Sequence, residues 1–193
     1  MELVLDLLQG LGIAAAVGIR PLLPVLLAGI LAAANVGLDF DGTSFEFLET
    51  WPFMVGVAIV VLGLDLAARR GAPDRRPLSW VLLAVVVALG ALLAAGSVDD
   101  RSDPWIIGLI VGAAAAVLGY YAARSLFTRV RRRLDPGTAA ALPVYGEGVA
   151  LAAAGLSILF PPLAVLVIAG LAWLLAGSRR REGEKYAGLR ILR

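Results

Sequence analysis

Gly18-Ile19-Arg20-Pro21-Leu22-Leu23-Pro24 lies inside an apolar stretch that runs from about residue 3 to residue 34. Pro21 has no N–H, and its ring clashes with the carbonyl four residues back; Pro24 repeats the defect, and Gly18 adds backbone freedom. At about 1.5 Å per residue the stretch is also too long for one upright membrane helix. A kink or break beside Arg20 is therefore predicted. Freed backbone groups in an apolar phase need partners, so they must face protein or a water-lined cavity. Arg20 at such a break is suited to donate to freed carbonyls, a buried carboxylate or an anionic ligand. The competing expectation is a tilted, proline-kinked helix whose arginine snorkels to the surface.

The rest of the chain has the same character. Of 193 residues, 60% are hydrophobic and 17% charged, whereas a soluble domain is about half apolar and about a quarter charged. Cys and His are both absent. That composition excludes disulfides, thiol nucleophiles, attached c-type haem, Cys/His zinc sites and imidazole bases. No cofactor is expected.

Six apolar segments are candidates to cross a bilayer: residues 3–34, 44–68, 78–96, 105–127, 138–160 and 162–177. The predicted fold is an all-α polytopic membrane domain over residues 1–178, followed by a basic tail, 179–193. Met1-Glu2 lacks the basic start of a signal peptide, so the first segment is expected to be retained. Arginines alternate between the connections. Arg69, Arg70, Arg75 and Arg76 fall between segments two and three, Arg129, Arg131, Arg132 and Arg133 between four and five, and Arg179, Arg180 and Arg181 in the tail. The opposite connections carry Asp39, Asp41, Glu46, Glu49, Asp99, Asp100 and Asp103, with Arg101 the one arginine among them. The positive-inside rule then puts both termini and the arginine-rich loops in the cytoplasm. Trp51, Trp80 and Trp105 near segment starts and Trp173 near an end fit headgroup-level anchoring. The arginine clusters are suited either to anionic headgroups or nucleic acid, or to topology alone. The alternation of tail charges with Glu182 and Glu184 favours topology and no nucleic-acid partner.

The halves resemble each other. Ala14-Ala15-Ala16-Val17-Gly18-Ile19-Arg20 is echoed by Ala113-Ala114-Ala115-Ala116-Val117-Leu118-Gly119 with Arg124 beyond, and Glu49 and Glu147 mark the two middle segments. Two three-helix repeats, 1–96 and 104–177, follow from this likeness. Three crossings reverse the chain, so the second unit is expected to be inverted, as in many transporters.

Ionisable groups inside apolar segments are costly, and they mark candidate sites. Arg20, Arg124 and Glu147 are the candidate substrate-binding residues, with Gly18, Pro21 and Pro24 forming the helix break. Glu147, between Gly146 and Gly148, is expected to pair with Arg124 or Arg20. Asp65 is expected to pair with Arg69 one turn on. Thr43 and Glu46 have capping-box spacing for the second helix. Gly108 and Gly112 form a close-packing face that is suited to joining either neighbouring spans or two protomers of a homo-oligomer.

The run Gly18-Ile19-Arg20-Pro21-Leu22-Leu23-Pro24-Val25-Leu26-Leu27-Ala28-Gly29 resembles the opening of a bacterial membrane family, domain of unknown function 4126. Arg124 and the neighbourhood of Glu147 occupy the places of its later helix-ending arginine and its Ser-x-x-Glu-Asp-like element. The chain departs from that element at Gly148, where the family has an acid. The resemblance implies a membrane protein, placed in the inner membrane of a bacterial cell, and points to Arg20, Arg124 and Glu147; it implies no activity.

Three functions are compatible with these features. A transporter or channel for a small solute, with an anion- or proton-sensing polar centre, needs a water-accessible cavity at the broken helix. A structural or lipid-interacting protein needs only a dry bundle locked by its buried charges. An intramembrane enzyme needs a catalytic motif, and none surrounds Asp65 or Glu147, so no enzymatic activity is expected.

Overall fold

The computed structural model describes residues 2–69, 75–99 and 105–187. Arg70, Asp100, Arg101 and Asp103 lie outside them, as do the side chains of Arg69, Arg75, Arg76 and the whole basic tail, so that part of the charge alternation rests on undescribed residues. Seven α-helices make up the described architecture: α1 (Glu2–Ile19), α2 (Leu22–Ala33), α3 (Trp51–Arg69), α4 (Arg75–Asp99), α5 (Trp105–Arg131), α6 (Pro136–Leu159) and α7 (Leu163–Ala187). No strand occurs among the described residues. Four stretches are long and apolar enough to cross a membrane: Trp51–Ala68, Pro77–Asp99, Trp105–Arg131 and Gly137–Leu159. The apolar parts of α1, α2 and α7 are shorter.

The break falls where the prolines require it. Arg20 still donates its N–H to the Ala16 carbonyl at 3.1 Å, Pro21 bends, and α2 begins at Leu22. Yet the first apolar stretch does not continue across. Gln9, halfway along α1, donates its side-chain amide to the carbonyl of Gly37, beyond the end of α2. On a through-going helix these residues would be about 40 Å apart. α1 and α2 are therefore the two arms of a hairpin with Arg20 at its tip. A Schellman ending closes the second arm: Asn35 takes φ 52°, and Val36 donates to the Leu31 carbonyl at 2.9 Å.

Close backbone contacts give each helix its direction. A Cβ on Gly10 would meet Ala94, and one on Gly90 would meet Ala14, so α1 and α4 are antiparallel. Gly108 faces Ala94 and Ala95 while Gly112 faces Gly90 and Ala91, so α4 and α5 are antiparallel too. Hence α1 and α5 run the same way. This corrects the inverted repeat, which required them to oppose: the hairpin adds one reversal that a count of apolar stretches misses. The observed likeness pairs α1–α2 with α5–α6 in one orientation. Leu23-Pro24-Val25 with Gly29 in α2 matches Leu142-Pro143-Val144 with Gly148 in α6. Glu49 and Glu147 are not counterparts, because Glu49 sits in a 3₁₀ turn (Glu46–Glu49) ahead of α3 and Glu147 sits inside α6.

For the same reason the six-crossing threading is corrected to a hairpin followed by five helices. The start of α1 lies at the end of the bundle that carries Asp39, Asp41, Glu49 and Asp99. Arg124, Arg129, Arg131, Arg132 and Arg133 lie at the other end, so the N-terminal end of α1 is opposite to where the alternation placed it. The capping box is also replaced. Thr43 accepts from the Phe45 N–H at 3.1 Å and donates to the Phe40 carbonyl at 2.8 Å, which builds a turn; α3 starts at Trp51.

α1 is the central element, packed by α4, α5, α6 and α7. Ile13, Ala14, Ala15, Ala16 and Val17 are wholly buried. Small residues make this possible. A Cβ on Gly18 would lie 2.4 Å from the Ala116 carbonyl oxygen, and one on Gly119 would lie 2.3 Å from that of Ala15, a reciprocal contact of α1 with α5. The Gly108 and Gly112 face packs on α4 within the chain, so it joins helices rather than protomers. α3 has the opposite character, with Val55, Ile59, Val60, Leu62 and Leu66 exposed, as a lipid-facing helix requires.

Candidate functional site

The hairpin tip gathers charged side chains from α3 and α6 around Arg20. α2 begins without a side-chain cap of its own: Pro21 precedes it and offers no hydrogen-bonding side chain. Its first N–H groups therefore need outside acceptors. Glu147, three turns into α6, supplies one, with Oε2 accepting from the Leu23 N–H at 3.5 Å. Arg20 reaches across to α3, where its Nη1 lies 3.5 Å from Asp65 Oδ1. The pair is partly buried, at 24% and 39% side-chain exposure. Arg20 and Asp65 are also the charges that act on Glu147. One guanidinium thus stands among two carboxylates and a helix N-terminus.

Local sequence explains how Arg20 fits there. A Cβ on Gly146 would lie 3.5 Å from Arg20 Cγ and 2.8 Å from the Phe127 ring. Gly146 therefore opens the place where the arginine stem lies against α6, with Phe127 of α5 as the adjoining wall. Gly18 admits α5 on the other side of the turn.

The structure brings Arg20 and Glu147 together and leaves Arg124 apart. Arg124 Nη1 donates to the Tyr120 hydroxyl at 2.7 Å, and its guanidinium carbon lies 5.8 Å from the Tyr120 ring centre. Tyr120 in turn donates to the Ser79 carbonyl at 3.3 Å, so this arginine braces α5 against α4. Glu147 makes an ion pair with neither of the two arginines expected for it: its carboxylate accepts from the Leu23 N–H, and Arg20, paired with Asp65, acts on it only through its charge. Asp65, assigned by spacing to Arg69, faces Arg20; the Arg69 side chain lies outside the described residues. An acid inside an apolar helix needs a cation, and Arg20 was available, so charge balance was the signal for this pair. Leu23, Gly146 and Phe127 had no such signal, because a backbone donor and a gap are invisible in a sequence.

Outside the spans, among the described residues, two acids have displaced pKa values. Asp135 caps α6, its carboxylate accepting from the Thr138 N–H at 2.9 Å and the Thr138 hydroxyl at 2.7 Å, and these bonds hold it below the usual aspartate value. At the other end burial, reinforced by a bond with Asp41 and that group's charge, pushes Glu49 up. Among the described residues no three His, Cys, Asp or Glu gather as metal ligands. A groove of about 220 Å³ opens between α5 and α7, away from Arg20 and lined in part by Arg129 and Trp173.

No curated protein and no solved structure matches the chain. A family model does, over residues 7–181, nearly the whole chain. This chain is therefore a member of the family described as domain of unknown function (DUF4126).

Proposed function

We propose that this protein conducts or transports a small solute across a membrane, with the Arg20–Asp65–Glu147 cluster as its polar centre. The observation that carries this proposal is the re-entrant hairpin. Two short helices enter from one end, turn inside the bundle, and present an uncapped helix N-terminus and an arginine to carboxylates from α3 and α6. Discontinuous helices with such termini are the usual way a membrane transporter builds a binding site. The cluster joins a guanidinium to carboxylates, one of which, Glu147, is bonded to a backbone N–H that an exchangeable proton or cation can replace as its partner. The cluster therefore suits a proton or small cation better than an anion, and any anionic solute would enter with a proton. Arg124 contributes by bracing α5, not by touching the solute. The arginine-rich end faces the cytoplasm, in keeping with the positive-inside rule, and the hairpin enters from the opposite side.

A second reading, in which the cluster only fixes helix packing, is favoured by Arg20 already being paired with Asp65. Proteoliposomes loaded with a pH-sensitive dye separate the two. Glu147→Gln keeps an acceptor for the Leu23 N–H but removes the charge, so a transport centre loses proton flux while the fold persists. Unchanged flux in Glu147→Gln and in Arg20→Ala, with lowered thermal stability, establishes the packing role instead.

A further inference from the structure

The groove between α5 and α7 has no part in the hairpin cluster, and we propose that it binds an anionic phospholipid, headgroup phosphate inward. Its polar side is Arg129 on α5 and Arg133 just past the helix end; its apolar side is Leu126, Val130, Trp173 and Leu174. The groove passes from cationic to apolar, which complements a lipid that passes from an anionic phosphate to acyl chains. Arg129 is held in place by its Nε, which donates to the Ser125 carbonyl at 3.2 Å. Its Nη2 is shielded from solvent and has no hydrogen-bond partner in the structure. A buried donor on a cation is costly unless an acceptor fills the place, and a phosphate oxygen is the acceptor that also neutralises the charge. Arg133 is exposed beside it and completes a two-arginine grip. Trp173, 75% exposed, has the amphipathic ring that favours headgroup depth. The site lies at the arginine-rich end, where anionic headgroups meet basic pockets between helices.

Inorganic phosphate shares the headgroup's chemistry, so the apolar wall decides between them: it commits the groove to a lipid. The full chain in detergent is titrated with phosphatidylglycerol, with phosphatidylcholine and with inorganic phosphate, and bound lipid is counted by native mass spectrometry. Phosphatidylglycerol is expected to bind in preference to phosphatidylcholine. Arg129→Gln with Arg133→Gln is expected to weaken it roughly tenfold or more, the loss of hydrogen bonds from charged groups. Arg133→Gln alone, at an exposed position that leaves the fold intact, is expected to give part of that loss, and Arg132→Gln none. Equal binding of the two lipids, phosphatidylglycerol affinity unchanged in the Arg133→Gln and double variants, or its displacement by inorganic phosphate would each overturn the proposal.

Discussion

The turn from α1 to α2 and the turn from α5 to α6 join helices that run in the same directions, and α2 and α6 share a Leu-Pro-Val run, but the two helices are started by opposite means. α6 carries its own cap: Asp135 stands immediately before Pro136 and bonds Thr138 three residues on. α2 has no local cap, and borrows the carboxylate of Glu147 from a helix 124 residues away in sequence. One helix start is self-sufficient. The other is held by a distant acid, with a guanidinium from the turn itself beside it. A tip that depends on distant charges is sensitive to their protonation and to any ligand that competes for them. A locally capped tip has no such handle, and this is the physical reason to place function at the first turn.

The largest effect is expected where both hairpins depend on the same contact. Gly119→Val should destabilise the bundle by about 3 kcal/mol, the upper end of overpacking costs, because the added carbons meet the Ala15 carbonyl. Unfolding in a denaturing-detergent titration measures it; a stability equal to wild type would mean that α1 and α5 do not meet there. Arg20→Ala comes next. A fully buried pair costs about 3–5 kcal/mol to break, but Asp65 is 39% exposed, so about 1–2 kcal/mol is expected by the same titration. No loss at all would remove the distinction between the two turns.

Asp135→Ala should lower the melting temperature by less than Arg20→Ala does, and its effect should depend on pH. The folded carboxylate titrates below its unfolded value. Its contribution is therefore complete above the ordinary aspartate pKa, about 3.9, and is lost as pH falls through the folded value. Melting curves of variant and wild type should converge in acid; a constant difference would show that the cap acts through packing. The smallest change belongs to Gly148→Ala. Nothing lies within 4 Å of its added Cβ, so the variant should gain about 0.5–1 kcal/mol of helix stability. A loss there would point to an unseen neighbour beside Glu147.

Much of this was legible in one dimension. Apolar length marked α4, α5 and α6 closely, since burial in lipid is a property summed along a segment, but it ran the first two helices together, began the next one early and ended the last one short. Pro21 and Pro24 placed the break, because a missing N–H acts on its own turn. Arg20 and Glu147 stood out as charges where none is cheap. The direction of α2 was not legible, because a proline break allows either a kink or a return. Only the contacts of Gln9 with Gly37 and of Leu23 with Glu147 choose between them. The repeat's orientation failed with it, since it depends on counting reversals.

The sequence by itself determined a helical membrane protein of this family, its arginine-rich and acid-rich connections, and the place where its first apolar stretch gives way. Tertiary structure decided that the chain turns back at that place, that Asp65 rather than Glu147 lies within bonding distance of Arg20, and that Arg124 belongs to another helix contact. The reason is range: hydropathy and proline act through neighbours in the chain, while a charge inside an apolar body is partnered by whatever the packing brings near.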